Sequence, residues 1–419
     1  MERIIIYSDG KTKLKGNIKI SGSKNSALPI LISTLLTDEE CVIKNVPDLK
    51  DIDTAISLLK HFGKKVIREK NIVKIFPDKI TSLVAPCKLI KQMRAGFLVS
   101  GPILSRYGKI KVFLPGGCAI GLRPVNIHLD GFRKLNAEIN LESDYIYIKG
   151  KNLKSSIINL SYPSVGATEN LIMASCLIKG TTKIINAAKE PEIVDLANFL
   201  NSIGAKIKGA GTNIIVIEGV DKLYKGEYSV ISDRIEAGTF LIATALTGGE
   251  VCLENCNPEH LKIVISKLIK SGCDISYKQD SIFIKMEKSV KSINITTKPY
   301  PGFPTDLQAQ WSVLMSQAQG RTRIKETIFE NRFLHAIELQ KLGVNIKVVG
   351  DTAVVCGKCN LSGASVTVTD LRAGAAFILA GLVAKGKTVI HNIFHLDRGY
   401  EEIEYKFRKL GAKIYRIKK

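Results

Sequence analysis

The stretch Leu59-Lys-His-Phe-Gly63-Lys-Lys-Val66 returns five times along the chain. The counterparts are Phe132-Arg-Lys-Leu-Asn136-Ala-Glu-Ile139, Leu200-Asn-Ser-Ile-Gly204-Ala-Lys-Ile207, Leu268-Ile-Lys-Ser-Gly272-Cys-Asp-Ile275, Leu339-Gln-Lys-Leu-Gly343-Val-Asn-Ile346 and Phe407-Arg-Lys-Leu-Gly411-Ala-Lys-Ile414. The central Gly, once Asn, steps by 73, 68, 68, 71 and 68 residues. Gly in this place is the left-handed residue that ends a helix, and Asn is its accepted substitute. The apolar residue three positions on then opens a strand. Six copies of a helix end followed by a strand make an internal repeat of about seventy residues, and such a period decides the architecture before any motif does.

Each copy carries further shared elements. A short strand such as Cys41–Asn45, Lys183–Asn186 or Thr388–Asn392 precedes the amphipathic helix. Before that strand the sequence predicts an Ala-, Leu- and Ile-rich helix, over 27–36, 95–104, 167–178, 237–246, 307–315 and 373–383. These helices are apolar on nearly every face, which means burial rather than a surface position. Strands such as Tyr145–Ile148 and Ile282–Lys285 alternate apolar and polar residues, as a sheet with one wet face does. Each repeat therefore reads βαβαββ, with helices inside and sheets outside: an α/β fold. Six repeats fill 419 residues and leave no room for a separate Rossmann or P-loop domain. The division expected is two three-repeat lobes, 24–231 and 1–23 with 232–419, crossing near the polar, turn-rich stretch Lys222–Ser232, with a ligand cleft between them.

Composition bounds the function. Apolar residues at 45% and charged residues at 24% are those of an ordinary globular protein. The net charge of +22 raises nucleic acid, anionic membrane or small anions as partners without choosing among them. It comes from 47 Lys against only 14 Arg, spread along the whole chain. The first residues, MERIIIYSDGKTK, carry Glu2 and Arg3 and a four-residue apolar run, unlike a signal peptide. The longest apolar run, Ala373–Ala384, falls well short of the roughly 20 residues that cross a bilayer. Nine scattered cysteines are no disulfide framework. A cytoplasmic protein is the expectation.

The buried helices start with charges of an unusual sign. Ser23-Lys24-Asn25, Gln92-Met93-Arg94, Ser164-Val165-Gly166, Asp233-Arg234, Thr305-Asp306 and Asp370-Leu371-Arg372 occupy equivalent points of the repeat. A cation at the positive end of a helix dipole costs ~0.3–1 kcal/mol. Lys24, Arg94, Arg234 and Arg372 all stand there, which is explained if they face a bound anion. The bland alternative pairs Arg234 with Asp233 and Arg372 with Asp370. A second feature is Leu114-Pro115-Gly116-Gly117-Cys118-Ala119-Ile120-Gly121-Leu122-Arg123-Pro124-Val125-Asn126. Glycines break the strand that ends at Phe113 and leave a thiol five residues from a guanidinium, a setting that tunes thiol reactivity.

Seven segments in chain order carry a family resemblance: SGSKNSALPIL, LPGGCAIGLRPV, AAKEPEIVDLANFL, FPTDLQAQ, ENRFLH, TDLRAG and HLDRGYE. Over essentially its whole length the chain resembles the UDP-N-acetylglucosamine enolpyruvyl transferase (UDP-N-acetylglucosamine 1-carboxyvinyltransferase) family. The resemblance implies two inside-out α/β domains of three βαβαββ units each. It also implies transfer of the enolpyruvyl group of phosphoenolpyruvate to the 3-hydroxyl of the aminosugar, with release of phosphate. This is the first committed step of peptidoglycan synthesis, needed for cell shape and division. No cofactor or metal is implied.

Carried over position by position, the resemblance implies that Lys24, Arg123 and Arg398 hold the phosphate and carboxylate of phosphoenolpyruvate, with Asn25, Arg94 and Arg372 close by. Guanidinium forks suit those anions in a way Lys does not match. Cys118 corresponds to the loop cysteine that donates a proton to the methylene carbon and is the fosfomycin target in relatives. Asp306 corresponds to the carboxylate that takes the proton of the sugar 3-hydroxyl. The nucleotide sugar is implied to lie along Arg94, Arg123, Pro124, Val125, Asn126, Ile127, Tyr162, Pro163, Ser164, Val165, Gly166, Asp306 and Ile328. Asp370, Arg332, Glu190 and Asp233 are implied to support the site. Two positions depart from the family: Asn126 stands where Asp is common, and Tyr162 where a Lys is usual. Both bear on uridine and diphosphate binding rather than on the chemistry.

Competing readings are weaker. Cys356-Gly-Lys-Cys359 has zinc or redox spacing but lacks a second pair, and Cys252, Cys256 and His260 surround a turn at Asn255–Pro258. His395 stands beside Asp397 and Arg398 as a supporting residue rather than a ligand. A 3-phosphoshikimate 1-carboxyvinyltransferase on the same fold would lack the Gly-Gly-Cys loop. A nucleic-acid-end-processing relative would show aromatics interleaved with a basic stripe, whereas aromatics are 6% and the cations dispersed.

Overall fold

A computed structural model describes residues 2–114 and 125–418. All six repeat marks are left-handed, with φ of +106° at Gly63, +68° at Asn136, +105° at Gly204, +111° at Gly272, +92° at Gly343 and +99° at Gly411. Strands follow at Val66–Glu69, Glu138–Leu141, Lys206–Lys208, Asp274–Lys278, Asn345–Val349 and Ile414–Ile417. The third repeat shows the unit in full: strand Ile157–Asn159, buried helix Val165–Ser175, strand Thr181–Ile185, amphipathic helix Pro191–Ser202, then strands Lys206–Lys208 and Ile214–Glu218. The hairpin brings the last strand between the second and third, so the order across the sheet is third, fourth, second, first.

Among the described residues the chain divides into two compact units, one of residues 2–21 and 232–418, the other of 22–114 and 125–231. Among the described residues each unit holds three sheets and its own apolar core. Five sheets have four strands. In the second repeat the first strand is reduced to a single bridge from Val84 to Lys111, leaving three. Two first strands are exchanged. Lys15–Lys19, which leads into the first buried helix, pairs in parallel with Glu250–Glu254 of the fourth repeat. Gly226–Ser229, which leads into the fourth, pairs in parallel with Cys41–Lys44 of the first. The polar stretch before Ser232 is thus partly a strand rather than only a turn-rich crossing. It sits at a sheet edge, where one face is open to water and polar residues are tolerated.

The buried helices lie close to their predicted positions, with shifts that have local causes. The first runs Lys24–Ser33 and tightens to a 3-10 turn over Thr34–Leu36. The second does not form one α-helix over 95–104: Arg94–Val99 is 3-10 and the α-helix is Ser100–Tyr107. Pro102 has no N–H to extend an earlier helix, so it sits within a first turn where none is required. Asn170 of helix Val165–Ser175 fills the junction, accepting from Gly101 N at 2.7 Å and donating to Ser100 Oγ at 2.9 Å. A Cβ on Gly101 would lie 2.4 Å from Asn170 O, so only glycine admits the approach. The helices Arg234–Thr247, Gln308–Ser316 and Leu371–Val383 pack together in the other unit. Their central residues are buried all round.

Candidate active site

Of the expected site residues, Lys24, Asn25, Ser164, Val165, Asp233, Asp306, Asp370 and Arg372 sit at the starts of the buried helices, where unsatisfied backbone N–H groups gather. The bland alternative, Arg234 paired with Asp233 and Arg372 with Asp370, is not found among the described residues. Asp233 Oδ1 instead accepts from the backbone N of Ile235 and Glu236, at 2.7 and 3.1 Å. Asp370 Oδ1 accepts from Arg372 N and Ala373 N, at 2.9 and 3.1 Å. Both are N-caps, a use that spends the carboxylate on the helix end. The Arg234 guanidinium lies over the Tyr300 ring, 5.6 Å from its centre.

Arg372 finds its anion in another repeat. Asp306, in the 3-10 turn Thr305–Leu307, accepts from Arg332 Nη2 on one oxygen and Arg372 Nη2 on the other, each at 2.8 Å. Both arginines are buried, while the Asp306 side chain is 28% exposed. The carboxylate therefore presents to solvent from a base of two fixed cations. Burial disfavours the Arg372 charge, yet Asp306 outweighs it and holds that guanidinium firmly protonated. Arg372 also lies over the Tyr400 ring at 5.4 Å, and its Nη1 is buried with no hydrogen-bond acceptor among the described residues. His335, fully buried nearby, is held neutral: burial pushes it down to about 4 against the opposing pull of Asp370.

In the other unit Ser23 caps the first buried helix, its Oγ accepting from Ser26 N at 3.3 Å. Lys24 is buried and its ammonium lies 3.2 Å from Asp51 Oδ2 in the first turn of helix Lys50–His61. Asn25 beside it is half-buried. Ser164 caps helix Val165–Ser175, accepting from Ala167 N at 3.3 Å. Gly166 of that helix faces His128, whose Cε1 would lie 3.4 Å from an added Cβ. Asn126 and Ile127 open the helix Asn126–Lys134 that carries His128, and this helix packs on Val165–Ser175. Tyr162 is exposed, and Glu190 is a buried N-cap of helix Pro191–Ser202. Cys118, Arg123 and Pro124, and the Arg94 side chain, lie outside the described residues.

Arg398 ends the 3-10 segment Ile393–Arg398, and the adjacent Asp397 is gripped by both terminal nitrogens of Arg416 at 3.0 and 2.6 Å. His395 in that segment is lowered by burial and by the Arg398 charge. Ile328 N donates to Glu326 Oε1 at 2.8 Å. Sequence reasoning missed Asp51, Glu326 and His335. Asp51 and Glu326 have no motif around them and His335 closes ENRFLH without a role assigned to it there, because each matters through a partner from a distant part of the chain. Among the described residues no His, Cys, Asp and Glu group could hold a metal. Cys359 Sγ donates to Cys356 O at 3.1 Å, closing a turn, and burial raises the Cys256 thiol to about 12. No described helix is long and apolar enough to cross a membrane.

The EPSP synthase (3-phosphoshikimate 1-carboxyvinyltransferase) family matches residues 8–407. A solved enolpyruvyl transferase, NikO from Streptomyces tendae, superposes with a TM-score of 0.89 at 23% identity, over 99% of this chain and 98% of that one. Fold and match together define the class as carboxyvinyl (enolpyruvyl) transferases. A protein of Endomicrobium trichonymphae named UDP-N-acetylglucosamine 1-carboxyvinyltransferase is 53% identical over 415 residues, covering 99% of each chain. Another of Caldanaerobacter subterraneus subsp. tengcongensis, named UDP-N-acetylglucosamine 1-carboxyvinyltransferase 1, is 51% identical over 403 residues, covering 96% of this chain and 97% of its own. The chain belongs to the UDP-N-acetylglucosamine 1-carboxyvinyltransferase family.

Proposed function

We propose that this chain transfers the enolpyruvyl group of phosphoenolpyruvate to the 3-hydroxyl of UDP-N-acetylglucosamine and releases phosphate, the first committed step of peptidoglycan synthesis, in the cytoplasm. The observation that carries the reading is the part-exposed Asp306 carboxylate clamped between the buried Arg332 and Arg372. In this mechanism Asp306 takes the proton of the 3-hydroxyl as its oxygen bonds to C2 of phosphoenolpyruvate. Cys118 gives a proton to the methylene carbon, which becomes a methyl group. The product of addition is a tetrahedral ketal. Loss of a methyl proton and departure of phosphate then restore the double bond and yield the enol ether. Each proton transfer of this kind is worth ~10²–10⁴ in rate. No net redox change is involved.

The substrate's anionic groups call on Lys24, Arg123, Arg398, Arg94 and Arg372, with Asn25 at the reacting end. Asp51 fixes Lys24 while leaving it charged, and Asp370 caps the helix that carries Arg372. The nucleotide sugar runs along Val125–Ile127, Tyr162–Gly166, Asp306 and Ile328, with Arg332, Glu190 and Asp233 in support. Asn126 and Tyr162 offer weaker contacts to uridine and diphosphate than Asp and Lys at those places.

A second reading, favoured by the description of the matching family, takes 3-phosphoshikimate as acceptor. Phosphate release separates the two. With phosphoenolpyruvate and UDP-N-acetylglucosamine the wild type is expected to turn over and Cys118→Ser to lose nearly all activity, while Cys118→Asp is expected to keep activity and escape fosfomycin. Turnover with 3-phosphoshikimate and none with the nucleotide sugar overturns the proposal.

A further inference from the structure

Glu326 is a carboxylate buried to 3% exposure in a part of the chain that no motif singles out. Its Oε1 accepts from Thr297 Oγ1 at 2.8 Å, Ile328 N at 2.8 Å and Phe329 N at 3.2 Å. Its Oε2 accepts from Thr305 Oγ1 at 2.8 Å. Thr297 in turn accepts from Thr327 N at 2.9 Å. One side chain thus joins three segments: the residue before Asp306, the loop 327–329, and Thr297 beneath them. The same loop runs on to Arg332, which grips Asp306 from the other side. Closing the turn at 328–329 alone needs one acceptor, and Asn, Ser or Thr supplies it at less desolvation cost. A second oxygen aimed at Thr305 is what sets the Asp306 turn at a fixed distance from Ile328.

We propose that Glu326 is a positioning residue for the sugar side of the site, holding Asp306 and the Ile328 backbone in one geometry through its two oxygens. The proposal rests on the reading that Asp306 and Ile328 meet the nucleotide sugar. A displacement of the order of 1 Å in a reacting group costs about 10²-fold in rate. The arm to Thr305 is separable from the arm to the loop. In Glu326→Gln the amide oxygen can keep the three Oε1 donors while its NH2 donates to the Thr305 hydroxyl, which accepts as well as it donates.

The test is steady-state phosphate release with each substrate varied, on purified full-length variants. Glu326→Ala is expected to raise KM for UDP-N-acetylglucosamine ~10-fold and lower kcat ~10²-fold, with KM for phosphoenolpyruvate within about threefold of wild type. Glu326→Gln is expected to rescue most of that loss. Thr305→Val removes only the Oε2 arm, is close to isosteric, and is expected to show the same split at smaller size. It decides the matter if Glu326→Ala does not fold. Unchanged kcat and sugar KM in Thr305→Val overturn the proposal and leave the functional reading standing, as does an equal rise in both KM values. A wild type inactive with this substrate pair overturns the functional reading and the proposal with it.

Discussion

Replacing Asp306 by Asn probes the site where its electrostatics are most concentrated. The carboxylate is the shared anion of two guanidiniums whose side chains are only 4% and 5% exposed. Removing one partner of a buried pair costs about 3–5 kcal/mol, because the remaining charge stays desolvated and uncompensated. Asp306 is itself 28% exposed, so water screens part of that field and the expected loss falls to about 2–4 kcal/mol. The amide oxygen can still accept from one arginine, but its NH2 then faces the other donor. For a unit of some two hundred residues this lowers the melting temperature by roughly 4–16 °C. Turnover falls ~10²–10⁴-fold through the lost base. Differential scanning calorimetry measures the first effect and phosphate release the second. Adding Arg372→Met to Asp306→Asn removes an orphaned charge, so the double variant is expected to melt above Asp306→Asn. An Asp306→Asn protein melting within about 1 °C of wild type, or a strictly additive double variant, refutes the argument that the guanidiniums depend on this carboxylate.

Further expectations follow from other contacts. His335 has a folded value of about 4 against an ordinary 6.5, so the unfolded chain takes up its proton first on acidification. Stability is full above the unfolded value and is lost as pH falls from 6.5 towards 4, by about 2 kcal/mol between pH 7 and 5. In urea titrations at the two pH values His335→Gln is expected to show a smaller difference. Arg416 meets Asp397 with both terminal nitrogens and Glu404 with Nε at 2.6 Å and Nη2 at 3.2 Å, a double fork that an ammonium does not reproduce. Arg416→Lys is expected to lose about 1–3 kcal/mol, read as a lower urea midpoint at unchanged slope. Gly101→Ala places a methyl group 2.4 Å from Asn170 O, and overpacking there is expected to cost about 1–3 kcal/mol in the same assay.

What the amino-acid order revealed, and what it concealed, divides along a physical line. The six helix ends were legible because a left-handed residue is a local demand, met by Gly63 or Asn136 whatever lies elsewhere. The buried helices were legible from composition alone, since a helix apolar on all faces has one place to go. Their edges were less so: the break at Val99–Ser100 depends on Asn170 reaching in from the next repeat. The cations at helix starts were visible as an anomaly, but their partners were not. Arg372 and Asp306 stand 66 residues apart in chain order, and Lys24 and Asp51 stand 27 apart. Such pairs are made by the packing of repeats, which no local spacing encodes. Asp233 and Asp370 looked like counter-ions and are caps, because a carboxylate just before a helix finds two N–H groups closer than a long side chain can return.

The exchanged strands have a consequence for the order in which the chain can be completed during synthesis. The unit built from 22–231 has all its strands once Gly226–Ser229 has left the ribosome and paired with Cys41–Lys44. The other unit must wait. Lys15–Lys19 finds its neighbour only with Glu250–Glu254, and Arg3–Asp9 pairs with Lys385–His391, about 380 residues later. At 5–20 residues per second that is roughly 20–80 s during which an apolar strand, Ile4–Ile6, has no sheet to join. Residues 4–6 are made long before the strand that buries them, so the nascent chain carries an exposed apolar segment until 385–391 is complete. Slowing translation after Ile231 should therefore increase chaperone capture of the nascent chain, and replacing Ile5 by Lys should decrease it.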